Sequence, residues 1–144
     1  MRVWRISRFA DLSGRGGVLS ASRWNFANTP VVYCADHPAT ALLEMLVHVD
    51  AEDLPSSYQL LAIHVPDTVQ MYRTSVPANW KDDFPATQRL GTDFISAGRD
   101  AVMEVPCVLV PHTSNYLLNP ALLELAGIRI VGVTHHAIDA RLLA

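Results

Sequence analysis

No apolar run in this chain reaches the roughly 18–20 residues that a bilayer-spanning helix requires. Its most apolar segment, following Pro38, is interrupted by Thr40, Glu44 and His48, so a soluble protein is expected. Cysteine is scarce. Cys34 and Cys107 stand alone, which rules out a disulfide framework, and the opening MRVWRIS is strand-like with no secretory leader; a cytoplasmic location is expected. Charge is also sparse, at 17% of residues with a formal net charge of −3. No global positive field draws this chain to nucleic acid or anionic lipid, so any DNA contact would run through a partner. Internal repeats, heptad runs and low-complexity tracts are missing, which excludes solenoids and coiled coils. The six histidines, His37, His48, His64, His112, His135 and His136, show neither HExxH nor Cys-His zinc spacing. No metal site is expected, and His135-His136 reads as a turn beside the last strand.

What is present suits one globule. At 144 residues and 50% hydrophobic content, residues 1–144 are long enough to bury a core as a single domain. The central stretch is PVVYCADHPATALLEMLVHVD, Pro30 to Asp50. Val31 to Ala35 is β-branched and aromatic and reads as a strand, while Ala39, Leu42, Leu43, Leu46 and Val47 recur at helical spacing. Asp36 or His37 can cap that helix. Pro38 fits its first turn, where no N–H is needed. Further strands are expected at Val3–Ile6, Tyr58–Val65, Val105–Val110 and Ile128–Val133, and a helix at Thr87–Gly98. Gly91 weakens that helix, and Pro106 marks its strand as an edge or a bulge. Asp11 to Gly17, DLSGRGG, reads as a glycine-rich loop without the Lys-Ser/Thr ending of a P-loop. Because the strands do not alternate regularly with crossover helices, the expected class is α+β, with a mostly antiparallel or mixed sheet and flanking helices.

The residues able to do chemistry each have a plainer reading. At about 100° per residue the apolar stripe of the helix centres near Leu43 and Leu46, leaving Glu44 roughly 130° away. On pattern alone Glu44 is a solvated residue, although Ala41 and Met45 make its side partly apolar as well. Arg5 and Arg23 fit structural ion pairs or an anion clamp, surface pairing being the commoner fate. Tyr33 and Tyr116 are core strand residues or stacking platforms. Asn115 and Asn119 are turn formers or ligand contacts. A nucleophilic Cys107 would want a histidine and an electropositive setting, whereas a buried inert thiol is the usual state of a free cysteine. Cys34 reads as core.

Taken in order, RVWRI, GRGG, SRWN, PVVYCADHPATALLEMLVHV, RLGTDFI, VPCVLVP with NYLLNP, and IRIVGV with a late RLL resemble the RES-domain toxins of bacterial RES-Xre toxin-antitoxin pairs. The single motifs are weak; their order and spacing over nearly the whole chain are specific. The resemblance implies a fold related to ADP-ribosyltransferases and cleavage of the nicotinamide-ribose bond of NAD⁺, by hydrolysis, phosphorolysis or transfer to a protein. By motif, the family's arginine and glutamate fall on Arg23 and Glu44, and its serine position is occupied by Cys107. Tyr33 and Arg5 match further pocket residues. Glu44 would stabilise the cationic ribose, Arg23 and Arg5 would hold the pyrophosphate, Tyr33 would bound the nicotinamide, and Cys107 and Asn119 would contact substrate. NAD⁺ is then a substrate, with no other cofactor. The implied partner is an Xre-type antitoxin carrying the DNA contact, with inorganic phosphate as an acceptor candidate and a homodimer as the default assembly. The alternative is an inactive binding module, motivated by cysteine at the serine position, or a Cys107-dependent hydrolase.

Overall fold

The architecture follows from central strands whose apolar residues are buried on both faces. A computed structural model describes residues 1–143. Seven strands, β1 (Arg2–Ile6), β2 (Val32–Ala35), β3 (Ser57–His64), β4 (Met71–Tyr72), β5 (Val102–Pro106), β6 (Ser114–Leu118) and β7 (Arg129–Ala137), form one sheet in the order β4-β5-β6-β2-β1-β3-β7. Only β4 and β5 run parallel; every other pair is antiparallel. The sheet is mixed and mostly antiparallel, as the class assignment requires.

Alternation along the strands sorts the core onto two faces. On one face Val3, Val32, Cys34, Leu61, Ile63, Val102 and Leu118 pack with Leu123 and Ile128. On the other, Met103, Val105 and Leu117 meet Trp24, Val31 and Phe94. Cys34 belongs to the first core, and burial pushes its thiol up to about 12 from an ordinary 9.0.

Among the described residues four α-helices, α1 (Arg15–Leu19), α2 (Pro38–His48), α3 (Phe84–Ala97) and α4 (Leu123–Ala126), and short 3-10 turns complete the fold. The glycine-rich segment expected as a loop therefore contains a short helix. α2 begins as its sequence directs, with Pro38 in the first turn and His37 Nδ1 accepting from the Ala39 N–H at 3.1 Å. Its inner face differs from the expectation. Thr40 and Ala41 are its buried residues, whereas Leu43 is 41% and Val47 57% exposed. Small side chains let the helix lie close on β1 and β2, and Glu44 faces inward, not to open solvent.

Two other expectations are corrected. β5 ends at Pro106, so Cys107 follows the strand and does not lie in it, although its N–H still donates to the Thr113 carbonyl at 2.9 Å. His135 and His136 are strand residues paired with Gln59 and Tyr58, so they do not make a turn. α3 tolerates Gly91 for a steric reason: a Cβ there would collide with the backbone carbonyl of Trp24. Gly98, at φ 61°, closes α3 in the left-handed conformation that glycine adopts without strain.

Candidate active site

α3 clamps an irregular segment against the sheet, and that clamp places the first arginine. The Thr87 hydroxyl donates to the Arg23 carbonyl at 2.7 Å, Gln88 Nε2 donates to the Ser22 carbonyl at 3.0 Å, and the Phe26 N–H donates to Thr92 Oγ1 at 2.9 Å. Residues 87, 88, 91 and 92 share one helix face, so the close approach at Gly91 and these bonds act together. From below, Asn25 is fully buried and its amide donates to the carbonyls of Gly17, Ser20 and Phe26. Its Oδ1 accepts from the Tyr33 hydroxyl at 2.6 Å, and that hydroxyl accepts the Trp24 N–H at 3.1 Å. Burial pushes the Tyr33 phenol above its ordinary value, so it remains a neutral donor.

Between α2, β1, β2 and this clamped segment lies a cleft of about 840 Å³, lined by Arg5, Arg23, Tyr33, Glu44, His48 and Asn115 among apolar neighbours that include Trp4, Trp24 and Leu109. That volume falls within the range of small-molecule sites. Arg23 leans over the Phe84 ring, 4.4 Å from its centroid, and donates one N–H to the Lys81 carbonyl at 3.1 Å. Arg5 donates to the Tyr33 carbonyl at 2.9 Å, tying β1 to β2. Among the described residues neither guanidinium is within 4.0 Å of a carboxylate. Each therefore retains charge and donors for an anion.

Glu44 supplies the negative group. Its Oε1 accepts from Asn115 Nδ2 at 3.0 Å and from the Cys107 thiol at 3.6 Å. Its Oε2 faces His48 Nε2 at 3.8 Å, one helical turn away. The structure thus brings Arg5, Arg23, Tyr33 and Glu44 to one cleft, with Cys107 buried against the glutamate. Residues 2–139 match the RES domain family. The chain belongs to that family.

Relatives of this RES domain agree. A protein of Pseudomonas putida named "Toxin Res" is 43% identical over 123 residues, covering 83% of this chain and 85% of that protein. A Sphingobium protein named "Prs ADP-ribosylating toxin" is 34% identical, covering 97% of this chain and 95% of its own. In three dimensions the RES domain resembles a chain in the crystal structure of the M. tuberculosis MbcT-MbcA toxin-antitoxin complex, with a TM-score of 0.71 at 16% identity over 99% of this chain and 86% of that one.

Asn119 is not brought to the cleft. It is buried and caps the short 3-10 turn Pro120–Leu122, its Oδ1 accepting the Ala121 N–H at 3.1 Å and its amide reaching the Ile95 carbonyl at 3.4 Å. The asparagine that does line the cleft is Asn115, four residues earlier. Strand alternation does not separate them, since an even spacing puts both on one face; the separating signal is Pro120, which ends β6 before Asn119 and makes that asparagine a turn cap. His48 also lines the cleft and was signalled only by its i, i+4 spacing from Glu44. No group of three or more metal-ligating side chains capable of holding an ion occurs among the described residues, and no helix there is long and apolar enough to cross a membrane.

Proposed function

We propose that this RES domain protein is the toxin of a toxin-antitoxin pair and that it cleaves the nicotinamide-ribose bond of NAD⁺. The observation that carries the proposal is one carboxylate, Glu44, sharing a cleft with two guanidiniums that have no carboxylate partner among the described residues. In the reaction, the bond between ribose C1′ and the nicotinamide ring nitrogen breaks and its electron pair returns to the ring. Nicotinamide leaves neutral, so no general acid is required. What remains is a ribose with oxocarbenium character.

Glu44 offsets that charge electrostatically from a fixed position. Arg5 and Arg23 hold the pyrophosphate through donors that their existing bonds leave free. Tyr33 contributes its ring as a wall of the cleft. Its hydroxyl is committed to Asn25 and Trp24, which makes it a scaffold and not a proton donor to substrate. The cation is then captured by water, which loses a proton to give ADP-ribose, or by phosphate to give the 1″-phosphate.

Transfer to a protein acceptor is the second reading, favoured by the likeness to the Sphingobium protein over 97% of this chain. The antitoxin would be an Xre-type, DNA-binding partner seated over the cleft. Phe84, Leu109 and Val47 line that cleft and are 46%, 37% and 57% exposed, an apolar rim suited to occlusion.

The test is incubation of pure, antitoxin-free protein with NAD⁺, with and without phosphate and with a cell extract as acceptor source. Loss of NAD⁺ with ADP-ribose, its phosphate or labelled protein as product supports the proposal. Intact NAD⁺ under all three conditions overturns it.

A further inference from the structure

Asn115 occupies a position where the sheet asks for an apolar residue. On the cleft face, register places Trp4 opposite Ala35, Ala35 opposite Asn115, and Asn115 opposite Val105. Asn115 is the only residue in this row with a polar amide, and it sits on β6 between β2 and β5. Its Oδ1 is buried with no hydrogen-bond partner among the described residues. A buried acceptor without a partner costs stability, and such groups persist where another requirement outweighs that cost. The other end of the same amide identifies the requirement: Nδ2 donates to Glu44 Oε1 at 3.0 Å.

We infer that Asn115 is the positioning residue of the site, fixing Glu44 by its Oε1 so that Oε2 alone is presented to substrate; what Oε2 then stabilises rests on the NAD⁺-cleaving function proposed above. The tether crosses from β6 to α2, joining residues 71 positions apart in sequence. The Cys107 thiol meets the same oxygen at 3.6 Å, but a thiol is a weak donor. The amide is therefore the principal restraint on the carboxylate. His48 Nε2 lies 3.8 Å from Oε2, the oxygen that the tether leaves available. Each Glu44 oxygen thus has a separate role, one structural and one chemical.

The test compares wild type with Asn115→Val, which suits the apolar row, and Asn115→Asp, which keeps the shape but replaces the donor with a second carboxylate. Crystal structures, melting curves and separate kcat and KM values for NAD⁺ are measured. In Asn115→Val, Glu44 is expected in more than one rotamer and the melting temperature equal to or above wild type. Its kcat is expected to fall roughly 10- to 100-fold, the equivalent of a hydrogen bond to a charged group, with KM changed less than about 3-fold. Asn115→Asp is expected to lose kcat similarly.

Glu44 in its single wild-type rotamer in both variants, or an unchanged kcat, overturns the inference. So does a fall in activity that only tracks a fall in folded fraction, since that is what a purely structural residue gives. If wild type leaves NAD⁺ intact, the proposed function fails, while the Glu44 rotamer and the melting temperatures still decide the role of Asn115.

Discussion

The Tyr33 hydroxyl donates to Asn25 Oδ1 at 2.6 Å across an eight-residue separation, and this bond docks the arginine-bearing segment onto β2. The phenol also accepts the Trp24 N–H, so Tyr33→Phe leaves both a buried acceptor and a backbone donor without a partner. The variant is expected to lose about 2 kcal/mol, a drop of roughly 5–8 °C in melting temperature. NAD⁺ cleavage should fall with it because Arg23 adjoins Trp24. Thermal unfolding monitored by circular dichroism, alongside kcat/KM, checks both expectations.

Gly91 tests the same docking from the opposite side. In Gly91→Ala the new Cβ meets the Trp24 carbonyl, a backbone atom with no rotamer to escape into. The helix-propensity gain of alanine is below about 1 kcal/mol, and overpacking costs roughly 1–3 kcal/mol, more when backbone must move. Net destabilisation is therefore expected, together with a raised KM. Urea titration and steady-state kinetics measure the two effects, and a stabilised variant would contradict the account of why α3 carries glycine there.

The contrast between α2 and α3 shows what the sequence makes legible. The start of α2 is readable because Pro38 and His37 act through local geometry, and its helical period is equally clear. Its inward face is not readable, because periodicity places the most apolar stripe inside. This helix instead covers a cleft, so Thr40 and Ala41 are buried while Leu43 and Val47 are exposed. Glu44 is inward for the same reason. In α3, Gly91 weakens the helix on propensity but is required by a backbone 67 residues away in sequence, a constraint that no local rule contains. The arginine, tyrosine and glutamate positions came from motif order along the chain. Asn115 was missed in favour of Asn119 because a strand face and a turn cap carry the same residue type.

Arg23 is expected to act by geometry as well as charge. Its guanidinium lies over Phe84 and gives one donor to Lys81, leaving a planar fork for phosphate oxygens. Arg23→Lys keeps the charge but loses the fork. KM for NAD⁺ is expected to rise about tenfold or more in both Arg23→Lys and Arg23→Ala, with the melting temperature changed little. Initial-rate kinetics decide, and full rescue by lysine would show that charge alone suffices.

Cys107→Ser probes the position at which the family resemblance implies a serine. The thiol already points at Glu44 Oε1, and a hydroxyl there donates a stronger bond. Activity equal to wild type or raised up to about tenfold is expected. Cys107→Ala, retaining Asn115, is expected to keep measurable turnover, whereas complete loss would favour a covalent role for the thiol.

Cys34 gives an alkaline signature. Its folded value, pushed up to about 12 from 9.0, means that the unfolded chain releases this proton first. Stability from this group is complete below pH 9 and is lost as pH rises toward 12, by at most roughly 1.4 kcal/mol per pH unit. Melting temperatures recorded from pH 8 to 11 should decline, and Cys34→Ala should show a shallower decline from its own lower starting value.

In the proposed function, Glu44, held in a cleft with two guanidiniums, drives release of nicotinamide. The most direct test of that role follows the nicotinamide proton resonances by NMR in NAD⁺ solutions containing either wild type or Glu44→Gln, which preserves the shape of the side chain but removes its charge. The account predicts free nicotinamide accumulating with wild type and a rate reduced about a hundredfold or more with Glu44→Gln. Equal rates from the two proteins, or no free nicotinamide from wild type, would contradict it.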